Sequence, residues 1–304
     1  MNTNQDMNND LPSVATIGFF DGVHRGHQYL IEQLKQIAKE RRLQTTVITF
    51  GQHPRQALQS DYQPMLLSTL AEKQLLLKKN GVENCFVLPF NKQMASLSAR
   101  DFMQKVLVGV LNVKVLVIGY DNRFGHNREE GFDDYVRYGN EIGVEVVRAT
   151  PYTDADIRVS SSVTRTFLSE GNVGYAARCL GRPYVLTGTV IHGFSEGRKM
   201  GFPTANLQCD EGKMVPADGA YAVRVKIGSE FHRGMLNIGV RPTLNNGEEH
   251  SIEVHIIDYD NDLYGQTISV EFIERLRSEK KFGSKDELMA QLALDVEQVK
   301  RIIR

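Results

Sequence analysis

Cysteine is scarce in this 304-residue chain: Cys85, Cys179 and Cys209 stand far apart, and no CxxC pair occurs. That number and spacing speak against a disulfide framework and against a cysteine zinc site, and suit ordinary thiols in a reducing cytosol. An excess of either charge is also missing. Lys and Arg number 36 against 37 Asp and Glu, a formal net charge of -1. No global positive field therefore draws the chain to nucleic acid or anionic lipid. No apolar run reaches the length of a membrane span. Residues Met1 to Asp10 are rich in Asn and Asp, lack the basic and apolar regions of a secretion signal, and read as a frayed tail. The expectation is a cytoplasmic protein with neither nucleic acid nor membrane as a partner. There is no internal repeat and no low-complexity linker, and nothing in the pattern sets an oligomeric state.

What is present suffices for a packed core. Hydrophobic residues make up 41 % and charged residues 24 %, and the length suits about two domains of roughly 150 residues each. In the first half, apolar strands alternate with helical periodicity. Val14 to Phe19, Thr45 to Phe50, Cys85 to Leu88, Val113 to Ile118 and Val144 to Val147 read as strands. His27 to Arg41, Ser98 to Val108 and Phe132 to Ile142 read as helices, and Thr69 with Glu72 forms a capping box for another ending near Gly81. Residues 51–64 form a polar loop. Such alternation implies a parallel sheet covered on both faces, with ligands beyond the strand C-termini.

The second half changes character. Tyr184 to Ile191, Tyr221 to Ile227, Phe231 to Ile238, Ile252 to Ile257 and Ile268 to Ile273 are strand-like, with Gly, Pro and Asn clustered between them. This is the pattern of an antiparallel barrel or sandwich. Ser284 and Glu287 cap one closing helix carrying Leu288, Leu292, Val296 and Val299. Short helices around Thr164 to Leu168 and Val173 to Leu180 precede the boundary, expected near Gly181 to Pro183. The expected domains are thus 1–182 and 183–304.

Gly18-Phe19-Phe20-Asp21-Gly22-Val23-His24-Arg25-Gly26-His27 joins the first strand to the first helix. Glycines allow a tight turn and close approach of a ligand, and a helix N-terminus offers free N–H groups to phosphates. His24 and His27 can donate hydrogen bonds to phosphate oxygens and stabilise charge as pyrophosphate leaves. The segment FDGVHRGH resembles the HxGH signature of the nucleotidyltransferase superfamily. GFFDGVHRGH in particular is similar to the FAD synthetase module of bacterial bifunctional riboflavin kinase/FAD synthetases. The resemblance assigns His24 and His27 a catalytic role on the ATP phosphates, and adds Gly18, Phe20, Asp21, Gly22 and Gly26 as ATP-binding residues. Gly119 to Gly125 resembles the family's GxDFxFG loop, which places Asp121 and Phe124 in the flavin site; Asn122 departs from the usual aromatic there. Arg158 to Arg165 resembles the SSTxxR element, making Ser160, Ser161, Ser162 and Arg165 an anion cradle.

In the second half, Gly193 to Asn206 lies in a long loop after a strand and combines glycines, two cations, a Thr hydroxyl and an Asn amide. It is no Walker A motif. Thr and Asn oxygens are hard donors suited to Mg²⁺, and phosphoryl transfer needs Mg²⁺ and positioning more than covalent chemistry. Ser251 to Ile256 alternates along a strand, so Glu253 and His255 share one face. A carboxylate on the inner face of a small barrel is costly unless paired or used.

GRxxGFPTAN closely resembles the riboflavin kinase signature. The resemblance makes Thr204 and Asn206 the metal–nucleotide ligands, Gly193, Arg198, Gly201 and Pro203 further ATP contacts, and Glu253 the catalytic base toward the ribityl hydroxyl. Asn237 and Arg241 become flavin contacts. By resemblance the fold is an α/β Rossmann-like nucleotidyltransferase domain followed by an antiparallel six-stranded β-barrel with a C-terminal helix. The implied activity is bifunctional: riboflavin and ATP give FMN, and FMN with a second ATP gives FAD and pyrophosphate, with Mg²⁺ as cofactor. Two alternatives stand beside it: a single-activity nucleotidyltransferase with a passive barrel, disfavoured by the intact PTAN and Glu253, and a non-enzymatic flavin sensor, disfavoured by the two retained histidines.

Overall fold

The computed structural model of the chain describes residues 11–52, 64–126, 129–193, 201–242 and 248–304. Two compact units emerge, Met1–Val159 and Ser160–Arg304.

The first unit holds a parallel sheet with strands β1 (Ser13–Ile17), β2 (Gln44–Phe50), β3 (Asn84–Leu88), β4 (Val113–Ile118) and β5 (Glu145–Arg148), in the order β3-β2-β1-β4-β5. Alternation along the strands sorts the core onto two faces, as the pleat requires. Ala15, Ile17, Ile48, Leu116 and Ile118 face Phe102, Met103, Leu107 and Tyr135. Val14, Val47, Val115 and Val117 face Ile31, Leu34 and Leu77. The latter three come from helices α1 (Arg25–Arg41) and α2 (Leu70–Lys79). The Thr69–Glu72 capping box closes in both directions, at 3.2 and 2.9 Å. A short α3 (Lys92–Ala95) follows β3. The helix expected over Ser98 to Val108 is α4 (Ala99–Phe102) running into a π turn, Met103–Val108. There Gly109 N bonds Gln104 O, and a Cβ on Gly109 would crowd the Lys105 carbonyl. Helix α5 (Phe132–Ile142) completes the layer. Because β1 is flanked by β2 on one side and β4 on the other, the strand order reverses at β1, the place where sheets of this kind bind ligands beyond the strand C-termini.

In the second unit α6 (Ser161–Ser169) and α7 (Val173–Leu180) precede strands β6 (Tyr184–Ile191), β7 (Ala205–Cys209), β8 (Gly219–Ile227), β9 (Glu230–Pro242), β10 (Glu248–Ile256) and β11 (Thr267–Arg277). The six close into an antiparallel barrel, β10-β7-β6-β11-β8-β9. Backbone contacts divide the chain before α6, whereas the sequence pattern suggested Gly181 to Pro183. The reason is local: Ala217 N bonds Leu168 O, and Arg275 Nη1 reaches Glu170 O at 3.2 Å. Strand β7, absent from the strands read in the pattern, begins at the end of the stretch read as loop, Gly193 to Asn206. Its ladders with β6 and β10 fix which way Asn206 points.

The C-terminal helix α8 (Lys285–Ile302) lies on the outer face of the barrel, where Val296, Val299 and the adjoining Ile303 pack on Ala222 and Met235. Asp295, 2 % exposed, accepts from Arg277 at 3.0 and 2.9 Å and from Gln291 at 2.8 Å, which anchors α8 to β11.

Candidate functional site

Beyond Ile17 the backbone makes a kink that most residues avoid. Phe20 (φ 54), Gly22 (φ 72) and Val23 (φ 41) all lie at positive φ around a 3₁₀ turn, Asp21–Val23. Two of these are not glycine, and Val23 is β-branched, so the turn holds strain of about 1–3 kcal/mol per residue. The surroundings over-determine it. The buried Asp21 carboxylate accepts from Leu67 N (3.0 and 3.1 Å) and Ser68 N (3.1 Å), while Gly22 N donates to Ser68 Oγ at 3.0 Å. Asp21, read from the sequence as an ATP contact, therefore has its acceptor capacity engaged by the 67–68 backbone and shapes the turn.

Helix α1 begins two positions earlier than periodicity suggests, and this gives His24 its role. His24 is the N-cap, its Nδ1 accepting from His27 N at 3.3 Å. An accepting Nδ1 leaves the imidazole proton on Nε2. The two rings stack at 3.6 Å with 15° between planes. A Cβ on Gly26 would press on the His24 ring at 3.2 Å. A Cβ on Gly18 would meet the Phe20 ring at 3.0 Å, so both glycines keep ring positions open. His27 Nδ1 is buried and has no hydrogen-bond partner among the described residues. Burial, then the nearby His24 and Lys73, hold the His27 pKa well below 6.5. His27 thus sits as a neutral imidazole stacked on His24 at the positive end of a 17-residue helix. Arg25 reaches away, to Asp154 at 3.0 Å and over the Tyr152 ring.

Lys73 gave no signal in the sequence, where it is one lysine of a charged helix. It is 3 % exposed at the C-terminal ends of β1 and β2, and its Nζ donates to Phe19 O and Phe50 O, both at 3.0 Å. Only its register with Leu70 and Leu77 on the inward face of α2 could have drawn attention to it.

The β4 loop is partly a structural device. Asn122 Nδ2 donates to Ile17 O, pinning this loop to the end of β1. Phe124 stacks on Tyr135 (4.3 Å, 11°) and packs into the core, so its ring is engaged within the protein. Asp121 is exposed beside it. Ser160 caps α6 by accepting from Val163 N at 3.2 Å, Ser161 and Ser162 form its first turn, and Arg165 follows one turn on.

In the barrel, register builds the second constellation. Glu253 pairs with Asn206 on one side and Asn237 on the other, so three polar side chains stand in a row across β7, β10 and β9. Ile252, Val254 and Ile256 are buried in the barrel, whereas Glu253 and His255 share the row of Asn237 and Met235, whose face α8 covers. Glu253 is therefore on the outer, helix-covered face and not on the inner one. Thr204 Oγ1 donates to Glu253 Oε2 at 3.2 Å. His255 Nδ1 donates to Pro203 O at 2.8 Å, holding the strand leading into β7. A Cβ on Gly193 would overlap the Asn206 amide, so that glycine makes room for it. Gly201 turns at φ 80 just before. Arg198 and the Arg241 side chain lie outside the described residues.

Two clefts meet at Thr204. One, of about 490 Å³, is lined by Pro203, Thr204, Asp260, Asp262 and Tyr264. The other, of about 290 Å³, lies under α8 and is lined by Thr204, Asn237, Glu253, His255, Phe282 and Leu292. Thr204, Glu253 and Asn206 bring hard oxygen donors together, as a divalent cation held jointly with nucleotide phosphates requires. Among the described residues no cluster of three or more His, Cys, Asp or Glu could hold a metal alone.

Comparison with known proteins matches the two halves of the chain to two different families. Residues 6–163 match the family described as FAD synthetase, and residues 180–303 the family described as riboflavin kinase. The bifunctional riboflavin kinase/FMN adenylyltransferase of Bacillus subtilis (strain 168) is 38 % identical over 295 residues, 95 % of this chain and 92 % of that protein. The protein of the same description from Escherichia coli (strain K12) is 38 % identical over 283 residues, 93 % of this chain and 90 % of that one. A crystal structure described as a macrolide-efflux protein from Streptococcus pneumoniae aligns with a TM-score of 0.88 at 36 % identity, covering 99 % of this chain and 95 % of that one. Among the described residues of this chain, no helix is long and apolar enough to cross a membrane. The chain belongs to the family of bifunctional riboflavin kinase/FMN adenylyltransferases.

Proposed function

We infer that the chain makes flavin nucleotides in two ATP-dependent steps: riboflavin is phosphorylated to FMN, and FMN is adenylylated to FAD with release of pyrophosphate. The observation that carries the residue-level reading is the meeting of two clefts at Thr204, beside the Glu253 carboxylate.

In the first step riboflavin occupies the cleft under α8 and ATP the larger cleft across Thr204. Glu253 takes the proton of the ribityl hydroxyl as that oxygen attacks the γ-phosphorus, and the bond to the β-phosphate oxygen breaks to release ADP. Asn237, in register with Glu253, orients the flavin side of the row. Thr204 and Asn206 would hold Mg²⁺ together with the nucleotide; such an ion, when bound, neutralises charge on the phosphate oxygens.

In the second step a phosphate oxygen of FMN attacks the α-phosphorus of a second ATP. The bond from the α-phosphorus to the bridging oxygen breaks, and pyrophosphate leaves with both electrons. The free N–H groups at the start of α1 and the donors of His24 and His27 receive the growing charge, with no covalent intermediate. Asp121 contributes a substrate contact, and Ser160 to Ser162 with Arg165 form an anion cradle at the start of α6. A cytoplasmic location belongs to the same reading.

The test is a product assay. Pure protein incubated with riboflavin, ATP and Mg²⁺ should yield FMN and then FAD by chromatography. FMN without FAD would leave a kinase only; neither product would favour a flavin-binding protein without catalysis.

A further inference from the structure

Lys73 occupies a place that a leucine would fill by pattern. Its neighbours on the inward face of α2 are apolar, and lysines are almost never buried to this degree unless partnered. The partners are unusual. Both acceptors are neutral carbonyls at the ends of adjacent strands, Phe19 O and Phe50 O, and the ammonium lies 4.2 Å from the centroid of the Phe19 ring. Phe19 O accepts a second bond, from Thr49 Oγ1 at 3.0 Å. The carbonyl held this way belongs to the residue immediately before the left-handed Phe20, where the strained turn begins.

Burial lowers the Lys73 pKa to about 8, against Asp21 and Cys85, which raise it, so the group remains mostly charged at neutral pH. It acts in turn on His27, whose pKa it helps to depress, with His24 the other group pressing on that ring. A group with this burial, these acceptors and this reach into the histidine pair does more than fill space.

We propose that Lys73 is a positioning residue for adenylyl transfer: by clamping Phe19 O and Phe50 O it fixes the Gly18–Val23 turn and, through it, the N-terminus of α1 with His24 and His27. The inference rests on the reading of that turn as the ATP phosphate site. Lys73 touches no substrate; it holds the residues that do. The clamp also ties the turn to Phe50, so the ends of β1 and β2 move as one.

The experiment is Lys73→Met in the full chain, with four readouts. FAD formation from FMN and ATP should lose kcat on the order of 10²-fold, because a displacement of about 1 Å costs that much. The KM values for ATP and FMN should change by less than about threefold, since the binding groups remain. FMN formation from riboflavin in the same preparation should be unchanged, and hydrogen exchange should stay protected in β4 and α5 while the Gly18 to Val23 turn exchanges faster. The His27 imidazole, followed by NMR, should titrate at higher pH once the neighbouring charge is gone. A kcat within threefold of the parent enzyme, a loss carried by KM, an unmoved His27 titration, or loss of protection in β4 and α5 would each overturn the proposal, the last by making Lys73 a folding residue only. A parent enzyme that made no FAD at all would instead sink the functional reading of the turn.

Discussion

The two constellations are built in opposite ways. The first is one continuous segment, Gly18 to His27, in which a strand end, a left-handed kink and an N-cap follow each other along the backbone. The second is scattered over β7, β9 and β10 and exists only because Asn206, Glu253 and Asn237 are in register. The first is defended by side-chain bonds that reach across the chain, the Asp21 bonds to residues 67 and 68 and the Lys73 clamp on Phe19. The second is defended by pairing, since a slip of one residue in β10 would turn Glu253 into the barrel and a leucine-like neighbour outward. Their chemistry differs likewise: stacked imidazoles at a helix end in one, hard oxygens in the other.

The largest expected effects are the two that separate these sites. Glu253→Gln should lower FMN formation by about 10²–10⁴-fold, the usual weight of a general base, and leave conversion of supplied FMN to FAD intact. His27→Ala should do the reverse, with FAD formation falling by about 10²–10³-fold. Chromatographic assay of both products from one preparation checks both. A single change that removed both activities from a folded protein would break the comparison.

A smaller effect tests the register-built site. In Gly193→Ala the added methyl overlaps the Asn206 amide, so kinase kcat should drop roughly tenfold as that amide is displaced. FAD formation should not change. Steady-state kinetics on riboflavin and on FMN separate the outcomes.

The smallest effect is a pH signature of the first unit. His27 is held below its ordinary 6.5, chiefly by burial, so the unfolded chain binds the proton more readily and stability is lost as pH falls below 6.5. Lys73 is lowered to about 8, so between 8 and 10.5 the unfolded state keeps a proton that the folded state releases, and stability rises with pH. Cys85, pushed up from 9.0 to about 11 by burial, opposes this from 9 upward. Denaturant unfolding followed by hydrogen exchange in β1 and α1 should therefore show lower stability near pH 5.5 than at 7, and higher stability at 9 than at 8. Lys73→Met should flatten the second slope and His27→Ala the first.

How much was legible follows from the same contrast. The α/β and barrel halves were readable because hydrophobic alternation is local, and the Thr69–Glu72 and Ser284–Glu287 caps each need only four consecutive residues. His24 and His27 were readable because three positions at a helix start bring two side chains together whatever else the chain does. That Phe124 stacks on Tyr135 could not be read from the sequence, where a loop separates the two. That the Asp21 carboxylate accepts from a backbone segment 46 and 47 positions away was likewise hidden from any local reading.

The sequence by itself determined where strands and helices alternate, where helices begin within a residue or two, and that two imidazoles share one helix start, because all of these are set by neighbours along the chain. Tertiary structure alone decided that Glu253 faces outward under α8, that Asn206 sits on a sixth strand, and that Lys73 is enclosed at the ends of β1 and β2. Those outcomes depend on which strands pair and which face another layer covers, and that information lies between distant segments and not within any one of them.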